Sequence, residues 1–142
     1  MGKDMAHTTP SGGVPPYLTV GGAARAIDFY KTVFGAEELG RHMAEDGRRI
    51  MHCALRINGG TVMLADSITE HGDYPPPDPG RGSPVSISLA LADPGEVDRL
   101  HRRALDNGAS WTPWTPAGAG IRHVQDPFGH RWMLNAEKGQ KV

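Results

Sequence analysis

Tyr17-Leu18-Thr19-Val20-Gly21-Gly22, continued by Ala23-Ala24-Arg25-Ala26-Ile27-Asp28-Phe29-Tyr30-Lys31-Thr32-Val33-Phe34-Gly35, is the stretch that decides the fold. Its first four residues alternate as a strand. Two glycines break the run, and Ala23, Ala26, Ile27, Tyr30 and Phe34 then recur at helical spacing. Gly35 is the residue type that closes a helix. Three more strands are expected over residues 38–43, 49–57 and 61–66. The last two are joined by Asn58-Gly59-Gly60, a hairpin signal between alternating runs.

The same order returns in the second half. Val85, Ile87, Leu89 and Leu91 alternate with Ser86, Ser88 and Ala90; Asp93-Pro94 starts a helix; Val97, Leu100, Ala104 and Leu105 keep helical spacing until Asn107-Gly108. Strands are expected near 110–115 and over 121–126 and 130–135. Both halves read β-α-β-β-β, an internal duplication of about seventy residues. The fold class is therefore α+β: two β-α-β-β-β modules forming a cupped mixed sheet with helices outside. Residues 1–13 and 137–142 are expected as tails around a domain at 14–136, with modules at 14–70 and 84–136. The segment 71–83, which contains Pro75-Pro76-Pro77-Asp78-Pro79, is too rich in proline for a ladder and reads as a linker or lid.

Composition narrows the function. At 142 residues the chain has the length of one domain. Fifteen Lys and Arg against sixteen Asp and Glu leave a formal charge of -1, with no field to gather nucleic acid or an anionic membrane. The single cysteine, Cys53, excludes an internal disulfide and any cysteine-based zinc site. With no apolar run of membrane-spanning length and no hydrophobic leader, a cytosolic protein is expected.

Strand parity sorts the faces. Leu18, Val20, Cys53, Leu55, Ile57, Val62, Leu64, Trp132 and Leu134 fall on packed faces. Tyr17, Thr19, His52, Ala54, Arg56, Met63, Ala65, Ser86, Ser88 and Met133 fall on the opposite ones, a mixture of small, apolar and polar groups suited to lining a cavity.

The helix motif Ala26-Ile27-Asp28-Phe29-Tyr30-Lys31-Thr32-Val33-Phe34-Gly35, together with Pro16-Tyr17-Leu18-Thr19-Val20 and Asp126-Pro127-Phe128-Gly129-His130, resembles the vicinal oxygen chelate superfamily over residues 14–136. That group includes glyoxalase I, bleomycin and fosfomycin resistance proteins and extradiol dioxygenases, and the chain looks most like its PhnB-like branch. The resemblance implies a homodimer and, in metal-dependent members, four ligands of the His/Gln/Glu type. Carried across by motif, those four positions hold Pro15, Met63 or Ala65, Ser86 and Met133. None is a customary N/O ligand, so no metal and no other cofactor is expected.

Other residues invite weighing. His52 lies on the cavity face and could contact a ligand or act as acid-base, although a half-buried imidazole more often bonds its neighbours. His7, His71, His101 and His130 fall in the tail, the lid, a helix face and a turn, and His123 sits on a strand whose two faces parity leaves unassigned. Trp111 and Trp114 could stack on a planar ligand or simply pack at a strand edge. Arg56 could bind an anion or lie in solvent. Asp66 could be a base, but a cap at its strand end is the plainer role. Cys53, on the packed face, is expected to be inert. The expected function is non-covalent binding of a small, partly apolar or aromatic molecule, with drug sequestration as its concrete form. The alternative is a lyase, isomerase or dioxygenase of the same superfamily, with a non-standard metal site or His52 as acid-base.

Overall fold

The computed structural model describes residues 12–70, 72, 75–111 and 120–136. The first unit, 1–77, contains β1 (Tyr17–Val20), α1 (Ala23–Phe34), β2 (Glu37–Met43), β3 (Ile50–Ile57) and β4 (Gly60–Asp66). The second, 78–142, contains β5 (Ser86–Ala90), α2 (Pro94–Asp106), β6 (Ser110–Trp111), β7 (Ile121–Gln125) and β8 (Arg131–Asn135). Each unit has one four-stranded mixed sheet, ordered β1-β4-β3-β2 in the first and β5-β8-β7-β6 in the second. In both, the first strand runs parallel to the last, and the others pair antiparallel. The duplicated β-α-β-β-β reading is therefore the observed topology.

In the first unit α1 packs on β3 and β4. Ala23, Ala26, Ile27, Tyr30 and Val33 meet Val20, Cys53, Leu55 and Leu64 in a core where all nine are fully buried. Burying a side chain such as Leu64 or Ile27 contributes about 1.5–3 kcal/mol. Gly35, at φ 67°, takes the left-handed conformation that returns the helix to β2. Asn58 and Gly59 both have positive φ, as a two-residue primed turn requires.

In the second unit α2 covers β7 and β8, with Val97, Ala104, Val124, Trp132 and Leu134 fully buried or nearly so. Asp126 organises the turn before β8. Its Oδ1 accepts from the Phe128 and His130 amides, and its Oδ2 from the Trp132 indole at 2.9 Å. The carboxylate itself is buried.

Several details depart from the alternating reading. Val85 is 64% exposed, because it precedes the paired part of β5. The described part of β6 is only Ser110–Trp111, and 112–115 of the expected strand lie outside the described residues. The end of the proline segment, from Asp78 to Ser83, is held by hydrogen bonds. The Gly82 amide donates to Asp78 O, Ser83 N to Gly129 O, and Gln125 Nε2 to Pro79 O at 2.6 Å, tying this end into the second unit. No described helix is long and apolar enough to cross a membrane.

Candidate functional site

The registers of the first sheet bring one set of side chains to one face. Tyr17 pairs with Met63 and Met63 with Ala54, while Thr19 pairs with Ala65. Directly paired residues share a face. Small side chains in the row behind Tyr17 leave room for its ring to lean toward β3. Its hydroxyl lies 2.9 Å from His52 Nδ1, with ring centroids 5.5 Å apart.

Two bulges modify the β2–β3 edge. Leu39 is an extra residue on β2, and Met51 is an extra residue on β3 between the pairs Met43↔Ile50 and His42↔His52. A bulge re-aims the side chain it inserts. Met51 thereby joins Tyr17, Thr19, Ala65, Asp66, Ser67, Ile68 and Gly72 around a cavity of about 420 Å3 within the first unit. That volume is in the range of small-ligand pockets, ~300–1,000 Å3.

The cavity is apolar with a few placed polar groups. Asp66, at the end of β4, is fully committed: Oδ1 accepts from Gly22 N and Ala23 N, and Oδ2 from Ile50 N at 2.8 Å. It caps α1, whose own N-cap, Gly22, has no side chain to do so. The cap expected at its own strand end is instead a cap of α1, and those three bonds occupy the carboxylate that a base would need free. The loop beyond it is clamped from outside, since Arg49 binds both oxygens of Glu70 at 3.0 and 2.6 Å and reaches Asp46 Oδ2 at 2.7 Å. The Arg49 guanidinium holds Glu70 down to about 2. Burial first, and the neighbouring Cys53 second, push the Tyr17 phenol above its usual value, so it keeps its proton at neutral pH. His52 is buried, and its Nε2 has no hydrogen-bond partner among the described residues.

Of the expected ligand residues, Tyr17 and Thr19 line the cavity, and His52 adjoins it through Tyr17. Ala54 and Met63 share the face without lining that volume, and Arg56 is exposed near the hairpin end. Ser86, Ser88 and Met133 share a face of the second sheet, joined there by His123, which pairs with Met133. The register thus orients His123, which parity alone leaves open; burial first and Arg131 second lower its pKa.

Trp111 departs from its expected place. It pairs with Val124, which pairs with Trp132, so it stands on the α2 side of the sheet, opposite Ser88 and Met133, and is 52% exposed. The edge-packing reading fits it, and stacking inside a cavity on the other face does not. Trp114 lies outside the described residues. Met51, Ser67, Ile68 and Gly72 carry no periodic signal and escape sequence reasoning; only the bulge and the loop after β4 place them.

The positions the resemblance assigns to metal ligands hold Pro15 beside β1, Met63 and Ala65 on β4, Ser86 on β5 and Met133 on β8. Among the described residues, no three His, Cys, Asp or Glu side chains group where they could hold an ion. Thioether, methyl and hydroxyl groups do not make a hard-metal donor set, so the residues do not fit the metal of metal-dependent relatives.

The family profile of the Glyoxalase/Bleomycin resistance protein/Dioxygenase superfamily matches residues 5–134. The chain is 45% identical over 124 residues to an uncharacterised protein of Mycobacterium tuberculosis, covering 84% of this chain and 71% of that one. Among solved structures, it is similar to a gene product of Arabidopsis thaliana at 26% identity and TM-score 0.69, covering 90% of this chain and all of that one. It also shares the fold of the fosfomycin resistance protein FosX of Listeria monocytogenes, solved as a mutant with Mn(II) and a dihydroxypropylphosphonic acid. That match has TM-score 0.71 at 19% identity, covering 92% and 96% of the two chains.

Proposed function

The chain belongs to the glyoxalase/bleomycin resistance/dioxygenase superfamily, and from that premise we propose that it binds a small, partly apolar or aromatic molecule non-covalently in the cavity of its first unit. Sequestration of a drug-like compound is the concrete form of this activity. The observation that carries it is the cavity of about 420 Å3 walled by Met51, Ala65, Ile68 and the Tyr17 ring, with hydroxyls at Tyr17, Thr19 and Ser67. Apolar walls supply affinity by area and the few polar groups orient the guest. The mismatch between the inherited ligand positions and metal chemistry favours binding over the metal-dependent reactions of the superfamily.

Calorimetric titration with planar bicyclic aromatics tests this. The expected result is saturable one-to-one binding of micromolar order, about -8 kcal/mol, with the compound recovered unchanged by mass spectrometry. No saturable binding by any of them, or chemical conversion of the bound compound, would contradict it.

A further inference from the structure

A neutral imidazole carries one N–H, so the 2.9 Å contact between Tyr17 and His52 Nδ1 admits two arrangements. If the phenol donates to Nδ1, then Nε2 carries the proton and leaves a buried N–H without a partner among the described residues. If Nδ1 carries the proton and donates to Tyr17, only a lone pair is left at Nε2. Orphaned buried N–H groups are rarer than orphaned acceptors, which favours the second arrangement. The Tyr17 proton must then point elsewhere. Met51 O, at 3.4 Å, is too distant for a strong bond. Tyr17 is 50% exposed, so its proton is left to solvent or to a guest in the cavity that it lines.

A donor aimed into an apolar cavity selects an acceptor. The Asp66 carboxylate stands in the same wall and disfavours an anion. We propose that Tyr17, oriented by His52, donates a hydrogen bond to a neutral carbonyl oxygen, so that the pocket takes planar, largely apolar ketones and quinones. This rests on the binding reading above and specifies its ligand.

His52 acts here as a positioning residue. With its proton on Nδ1, it donates to the phenol oxygen and holds the Tyr17 hydroxyl in the outward orientation.

The test uses the full chain with 2-acetonaphthone and with 2-isopropenylnaphthalene, in which CH2 replaces the carbonyl oxygen. Tyr17→Phe is expected to weaken the ketone about tenfold and to leave the hydrocarbon within about twofold. His52→Asn, which keeps a side-chain N–H near the Nδ1 position, should retain ketone binding, whereas His52→Leu should weaken the ketone about tenfold and leave the hydrocarbon within about twofold. If Tyr17→Phe shifts both probes alike or neither, or if His52→Asn and His52→Leu bind the ketone equally, the carbonyl assignment falls while the binding reading stands. If neither probe binds the wild-type protein at all, both fall.

Discussion

The two units share a topology and differ in where their carboxylates work. In the second, α2 caps itself: Asp93 accepts from Glu96 N at 2.8 Å while the Glu96 carboxylate accepts from Ala92 N, a reciprocal box on an exposed helix end. In the first, Gly22 opens α1 in the left-handed region at φ 102° and cannot cap it, so Asp66 reaches back from the end of β4. That single residue also holds the start of β3 and forms part of the cavity wall. The buried carboxylate of the second unit, Asp126, serves its turn and Trp132 instead. A duplicated backbone thus carries polar anchoring that is internal to the helix in one copy and shared with the candidate site in the other.

The contrast predicts unequal costs. Asp126→Ala should be the most damaging change, about 4 kcal/mol by urea denaturation, because it strands two amides and an indole N–H in the core. Asp66→Ala should follow at about 2–3 kcal/mol and should also weaken ligand binding, since the start of β3 and the cavity wall loosen together. Asp93→Ala should cost only about 1 kcal/mol, the ordinary loss of an exposed cap, and leave binding untouched. Equal losses at Asp66 and Asp93 would erase the distinction between the units. Gly82→Ala, comparable to Asp93→Ala, should cost about 1–2 kcal/mol in the second unit, because its φ of +74° disfavours a side chain and a Cβ would run into Gln125.

The smallest effect is electrostatic and belongs to the first unit. The hydrogen bond from Arg41 foremost, with Lys31 assisting, lowers Glu38 to about 2. A carboxylate depressed in the folded state stabilises it above the unfolded pKa and loses that contribution as pH falls through the folded one. The Glu38 contribution is therefore complete above about pH 4.5 and gone near pH 2. Glu38→Gln should cost the small worth of a surface pair at pH 7 and nothing near pH 2, so that the acid limb of a stability-against-pH curve flattens across that window.

Much of the fold was legible because its signals are periodic and local. Alternation at Tyr17–Val20 and Val85–Leu91, helical spacing at Ala23–Phe34, and the stops at Gly35 and Asn58-Gly59 each act within a few residues. The faces were legible as far as the period held without interruption, which is why Cys53 and Trp132 appear buried and Tyr17 and Thr19 meet the cavity. The period broke at the Met51 bulge, which no residue type announces. It also gave little purchase on β6, where the face of Trp111 follows only from its pairing with Val124. The Tyr17–His52 contact spans residues 35 apart and depends on the order of three strands, information carried by register and not by any neighbour in sequence.

The central claim is that ligand binding belongs to the first unit's cavity, and a 1H–15N correlation titration with 2-acetonaphthone tests it most directly. Saturable shifts should gather at Thr19, Met51, Ser67 and Ile68, with Ser86, Ser88 and Met133 unmoved. Shifts centred on Ser86, Ser88 and Met133, or none that saturate, would contradict it.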